Sequence, residues 1–215
     1  MLEYVSTNED GNLSLYTLST DEAVKNRMKL ATKLNFDVNK LRFMYQTHGD
    51  EVVVVDENSL FEIKDTDALI TNTKNLPIMV TVADCIPVCI KDETKQVIAV
   101  VHSGREGSFK GIIVKTLQKM QNEFGCNIDD LEVHFGASIG KCCYEVGDEI
   151  LNKIDTKYIY GRNIDLISLN VDNLLKFGVL KQNITIDTTC TKCGDGYFSH
   201  RNQNKERFCA IMMIE

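Results

Sequence analysis

The sequence predicts an α/β fold, because β-favouring runs alternate with segments of helical periodicity along its 215 residues. Its longest apolar runs, such as Gln96–Val101 (QVIAVV), lack polar alternation and read as strands covered on both faces. No repeat, low-complexity segment or Pro/Ser-rich linker interrupts it, so one domain is expected over residues 1–215.

Taken in order, residues 20–34 read as a helix. Thr20 is the expected cap, Asp21 and Glu22 suit the positive end of the helix dipole, and Ala23, Leu30, Ala31 and Leu34 recur at helical spacing. Arg27 falls on this same apolar face, as a snorkelling or paired cation or as one aimed into a pocket. Strands are then expected at 41–46, at the valine run 52–55, at 68–71, and at 78–83 and 88–90 on either side of Cys85. Further strands are expected at 96–101, 131–135 and 207–214. The clearest helix follows His102, where Ile113, Leu117, Met120 and Phe124 share one face and Gly125 stops it. Two more helices are expected at 146–154 and 171–177, the latter ended by Gly178.

Composition narrows the function. A net charge of -7 argues against a nucleic-acid backbone as the main partner. No apolar run reaches the roughly 18 residues of a membrane span, and the opening Met1-Leu2-Glu3-Tyr4 has no signal-peptide pattern, so a cytoplasmic location is expected. In a reducing compartment the eight cysteines would be buried, metal-bound or reactive rather than disulfide-bonded.

Three metal-competent residues share one kind of location. His48 follows one strand, Cys85 breaks an apolar run, and His102 ends a buried strand. Strands that stop at one edge of a sheet bring their terminal residues together, where ligand sites concentrate. A His, Cys, His set suits Zn²⁺ and also copper, and three protein donors leave a tetrahedral ion one open position. The same atoms without metal would make a cysteine hydrolase, with Cys85 as nucleophile and His102 or His48 as its base. Asp84, beside Cys85, could orient a ligand or serve as a turn residue. The loop HSGREGSFKG could cradle an anion at a helix start, and Arg201 offers a planar fork for phosphate or carboxylate. His134 stands apart and reads as structural. Cys190 and Cys193 form a single CxxC, half of a zinc site or a redox pair, with a plain structural role the leading alternative.

TDALIT, ADCIPV, AVVHSG, GASIGKCCYEVG, CTKC and YFSHR occur in an order and spacing that resembles the YfiH/laccase-domain family, from about residue 20 to the C-terminus. That family was described as polyphenol oxidases and is regarded as zinc-dependent purine nucleoside phosphorylases. The resemblance implies a sandwich of mixed β-sheets flanked by helices, with His48, Cys85 and His102 as metal ligands. It matches an Asn-Arg pair near the family's site to Asn26 and Arg27. It implies phosphorolysis of adenosine, inosine, guanosine or methylthioadenosine, together with adenosine deamination; the assembly expected is a monomer or homodimer. Arg27, Asp84 and Cys85 are then the expected catalytic groups, and Arg27, Asn26, Arg105 and Arg201 the expected phosphate- or substrate-binding ones.

The sequence departs from the family where HAGWRG becomes HSGREG, placing Arg105 and Glu106 where Trp and Arg are usual. It also departs at Ser138, which stands where a cysteine is usual. A copper enzyme acting on phenols is disfavoured, because multicopper chemistry needs more than the four histidines present. A binding protein that holds a nucleotide or cell-wall precursor without turnover is the remaining alternative.

Overall fold

In the computed structural model, which describes residues 1–215, the chain runs through β1 (Leu2–Val5), α1 (Thr20–Leu34), β2 (Arg42–Tyr45), β3 (Val52–Val54), β4 (Glu62–Lys64), β5 (Ala68–Thr71), β6 (Ile78–Val82), β7 (Ile86–Asp92) and β8 (Val97–Ser103). It continues through α2 (Arg105–Phe109), α3 (Ile112–Phe124), β9 (Leu131–Phe135), α4 (Asp148–Leu151), the hairpin β10 (Ile159–Tyr160) and β11 (Asn163–Ile164), α5 (Leu166–Phe177), β12 (Ile184–Ile186) and β13 (Phe208–Met213).

Apart from that hairpin, the strands form two mixed sheets, a five-stranded one in the order β1-β13-β6-β2-β4 and a six-stranded one in the order β12-β9-β7-β8-β5-β3. Antiparallel pairing joins β7 to β8 and β9, while β2 runs parallel to β4 and β6. The unalternated run in β8 has a direct explanation. Val97, Ala99 and Val101 point into one core, with Ile112, Leu117 and Leu174 of the helices, whereas Ile98 and Val100 point into a second core against Val80, Phe208 and Ala210 of the other sheet. Period-two side chains on a strand buried on both faces are all apolar. A third core joins α1, through Leu30, to Met79, Cys209 and Ile211 on the far face of the five-stranded sheet. The layers are therefore helix, sheet, sheet, helix, as the α/β expectation required.

Several boundaries differ from the sequence reading. Ser19, not Thr20, caps α1 by accepting the Glu22 N–H. The helix expected at 146–154 is a single turn, α4, because Gly147 precedes it and Asn152 ends it without a continuing ladder. The last helix starts five residues before 171, at Leu166, where Asp165 accepts the Ser168 N–H as cap. Strands β1, β4 and β12 were not anticipated; each has only three or four residues, too few to show a period.

Candidate metal centre

The segment Ala83-Asp84-Cys85 carries the chain from β6 in one sheet to β7 in the other. This break in an otherwise apolar run is what presents Cys85 at the sheet edge. Asp84 takes a φ of 85° there, and His48, in the loop after β2, takes a φ of 59°. Left-handed backbone is unfavourable for residues with a Cβ and persists where surrounding contacts over-determine it. Two of the three candidate ligands thus sit on or beside such a residue. The third, His102, lies at the end of β8 and is 3% exposed.

The ligand atoms of His48, Cys85 and His102 lie within 4.8 Å of one another. The imidazole rings meet edge to face, with centroids 4.7 Å apart. One buried carboxylate organises both. Asp67 Oδ1 lies 2.7 Å from His102 Nδ1, and the Asp67 carboxylate accepts backbone N–H groups from His48 at 3.0 Å and Gly49 at 2.7 Å. The Asp67 carbonyl also accepts the His102 N–H at 2.7 Å. A carboxylate on Nδ1 fixes the ring and leaves Nε2 free to ligate, the usual support of a metal-binding histidine.

Electrostatics point the same way. Burial opposes a charged Cys85, but His102 and His48 outweigh it and bring the thiol down to about 6. Burial equally opposes a charged His102, yet the Cys85 thiolate and Asp67 hold it up to about 9. A thiolate is the form that binds metal. Gly104 supplies the space, because a Cβ there would lie 3.3 Å from Cys85 Sγ, 3.4 Å from His48 Cδ2 and 3.7 Å from His102 Cε1. A soft thiolate, two imidazoles, an orienting carboxylate and a glycine-made opening fit a single tetrahedral ion.

This cluster forms one wall of a cavity of about 660 Å³, within the usual size of small-molecule sites. Arg105 and Arg201 line it, as does Arg207, which the sequence reading did not single out. Arg105 pairs with its neighbour Glu106 at 3.3 Å, so the two departures from the HAGWRG pattern partly neutralise each other. The loop expected to cradle an anion contains the short helix α2, whose cap Gly104 and first residues Arg105 and Glu106 line the cavity. Arg201 donates from its guanidinium to the Glu145 carbonyl at 2.9 Å and lies over Tyr144. Asp84 lines the cavity with both carboxylate oxygens engaged: Oδ1 accepts from Thr191 Oγ1 at 2.7 Å and Oδ2 from the Arg201 N–H at 2.8 Å.

Asn26 and Arg27 stand behind this wall. Asn26 donates to the Asn12 carbonyl at 3.0 Å, and Arg27 Nε donates to the Leu13 carbonyl at 2.9 Å while its guanidinium lies 4.3 Å from the Phe43 ring centre. Both hold the segment that delivers Ser14 and Tyr16 to the cavity. His134 pairs with Glu3 at the far side of β9. Asp67 was the main omission; its signal was an acidic residue immediately before the largely apolar run Ala68-Leu69-Ile70, where a charge needs a specific partner.

The family described as multi-copper polyphenol oxidoreductase laccase matches residues 5–215. The chain belongs to this family. Among relatives of this laccase-like family, a purine nucleoside phosphorylase of Clostridium acetobutylicum is 34% identical over 94% of this chain and 86% of its own length. A protein named adenosine deaminase RL5, from an unknown prokaryotic organism, is 30% identical over 81% of this chain and 74% of its own. Bacillus licheniformis YfiH superposes with a TM-score of 0.91 at 26% identity, covering 95% of this chain and 85% of that one. YlmD of Geobacillus stearothermophilus, at 24% identity and a TM-score of 0.86 over the same shares, adds agreement in fold. No helix of this family member is long and apolar enough to cross a membrane.

Proposed function

We propose that this chain is a zinc-dependent purine nucleoside phosphorylase acting on adenosine, inosine, guanosine or methylthioadenosine, and that the same pocket deaminates adenosine. The observation that carries the reading is the convergence of His48, Cys85 and His102 on a cavity that also presents Arg105, Arg201 and Arg207. The names of the relatives, phosphorylase and deaminase, support the substrate class.

Phosphorolysis requires an anionic nucleophile beside ribose C1′ while negative charge moves onto the departing base. Guanidinium groups bind phosphate by paired, charge-assisted hydrogen bonds, and three of them face this cavity. Tyr16, Tyr45 and Tyr144 offer flat apolar faces for a purine, the first two already meeting edge to face at 5.1 Å. Bound Zn²⁺ supplies Lewis acidity toward an oxygen or nitrogen of the nucleoside. Asp84 acts here by holding Cys85 and Arg201 in place. The eight free thiols suit a reducing, cytoplasmic setting.

A second reading has one observation in its favour. Without metal, Cys85, His102 and Asp67 form a nucleophile–base–orienter series of the kind cysteine hydrolases use. His48, which completes a three-donor set, favours the metal. The deciding experiment measures zinc content and phosphate-dependent release of free base from nucleosides, for wild type and His102→Ala. Loss of the zinc held at the pocket together with activity supports the proposal. Activity that survives chelation but not alkylation of Cys85 supports the hydrolase instead.

A further inference from the structure

The chain brings a second group of sulfurs together, away from the three ligands above. Cys142 and Cys143 lie in the turn after β9, and Cys190 and Cys193 lie in the turn after β12. All four Sγ atoms fall within 4.8 Å of one another, and Cys142 and Cys193 stand 3.7 Å apart. The CxxC that stood alone in the sequence has therefore found a second pair.

The backbone builds this meeting rather than leaving it to side-chain flexibility. The Cys143 and Tyr144 N–H groups both donate to the Gly140 carbonyl, at 2.9 and 3.0 Å, which closes the first turn. Gly194 N–H donates to the Cys190 carbonyl at 2.7 Å, which closes the second. Thr191 N–H donates to the Ser138 carbonyl at 3.0 Å and locks the two turns side by side. Gly140 N–H then donates to Cys190 Sγ at 3.3 Å, a bond that favours thiolate. Neither glycine is replaceable without intrusion: a Cβ on Gly140 would lie 3.3 Å from Cys142 Sγ, and one on Gly194 only 2.8 Å from the Cys190 carbonyl.

We propose that Cys142, Cys143, Cys190 and Cys193 form a second metal site, a tetrathiolate that binds one Zn²⁺ and staples two turns forming the wall of the nucleoside pocket. A Zn–S distance of about 2.3 Å in a tetrahedron places sulfurs roughly 3.8 Å apart. The Cys142–Cys193 separation already has that value, and the longest separations need only small adjustments. A cluster of several irons would hold its cysteine sulfurs farther apart than one ion does. A disulfide would need an S–S distance of about 2.0 Å, farther from the observed 3.7 Å than the tetrathiolate spacing is. The spacing C-x-x-C is a common zinc-ligand spacing, and four sulfur donors make a closed, structural site with no position left for substrate.

The location gives the ion its purpose. Both turns grip the residue before Cys85: Ile139 N–H donates to the Asp84 carbonyl at 2.9 Å, and Thr191 Oγ1 donates to its carboxylate. Ile139 and Tyr144 line the pocket on either side of the first cysteine pair. An ion between the turns would fix this wall against the catalytic edge.

The test uses the full-length chain carrying Cys85→Ala, which removes the only thiolate of the first site and leaves the four cysteines intact. The metal-free protein is titrated with Co²⁺ under reducing conditions and followed by thiolate-to-cobalt charge-transfer absorption. One equivalent of Co²⁺ giving an intense tetrathiolate spectrum, displaced stoichiometrically by Zn²⁺, is expected. Native mass spectrometry of wild type should show two zinc ions per chain, falling to one in Cys142→Ser/Cys193→Ser. No charge-transfer band in the Cys85→Ala chain, with all four cysteines open to alkylation after Zn²⁺ addition, would overturn the proposal. So would a Cys142–Cys193 disulfide that persists when zinc is present. Because Cys85 is absent from the main sample, failure of the pocket's own metal site leaves this result unaffected.

Discussion

Asp67 and His102 are joined twice, by the Oδ1–Nδ1 contact of 2.7 Å and by the His102 N–H donated to the Asp67 carbonyl at 2.7 Å. The same carboxylate holds the backbone of His48. One residue outside the lining of the cavity therefore sets the position of two candidate ligands.

Asp67→Asn tests this. The amide keeps the shape but lacks the charge, and its NH₂ loses the acceptor either for the Thr47 and Gly49 N–H groups, which Oδ2 serves, or for the His48 N–H, which Oδ1 serves. Loss of such support weakens metal binding by about 10- to 100-fold. Competition with a zinc chelator should report that loss while circular dichroism stays native. Unaltered affinity would mean that the histidines are held by something else.

Much of this centre was legible in advance, for physical reasons. Cys85 interrupts an apolar run and His102 ends one, so both announce a sheet edge. His48 follows a recognisable strand. What stayed hidden was the crossing between sheets at Ala83–Cys85, since a break in a strand looks alike whether the chain turns back or changes layer. Asp67 was hidden because its partners lie 18–35 residues away, in loop 47–49 and at the end of β8. Arg27 shows the opposite case: its helical spacing correctly placed it on the buried face of α1, but the face alone could not tell a pocket from a packing contact with Phe43.

Metal uptake should be strongly pH-dependent, with a sign fixed by His102. In the metal-free chain this imidazole holds its proton up to about 9, whereas Cys85 has already lost its own above about 6. Ligation requires the neutral imidazole and the thiolate, so between these values each ion bound releases one proton. Apparent affinity then rises about tenfold per pH unit across that window and levels off above it. Calorimetry of the pocket site near neutral pH, in buffers of different ionisation enthalpy and with the four-cysteine group pre-loaded, should show that single proton. No release would mean His102 binds from the neutral state.

Gly104→Ala separates crowding from folding. The residue has φ −75° and ψ −178°, which alanine adopts freely, and as the cap of α2 it donates no side-chain bond that could be lost. The methyl group would nevertheless press on Cys85 and His48. Overpacking of this kind costs about 1–3 kcal/mol, expected here as weaker metal binding with little change in melting temperature. A variant that binds zinc as wild type does would show that the ligands have room to spare.

Arg201 and Arg27 should differ in kind. Arg201 lines the cavity, half-anchored by its bond to the Glu145 carbonyl, and a charge-assisted contact to phosphate contributes about 1.5–3 kcal/mol. Arg201→Ala is therefore expected to raise the KM for phosphate about 10- to 100-fold with zinc content intact. Arg27 is 5% exposed, with Nε committed to the Leu13 carbonyl and its face on Phe43, and burial lowers it to about 10. Arg27→Ala leaves that carbonyl unpaired in the interior, a loss of about 1–3 kcal/mol of stability, visible as a lower melting temperature with phosphate KM little changed. The reverse pattern, a native melting curve with a raised phosphate KM, would return Arg27 to the substrate-binding role that the family resemblance implies.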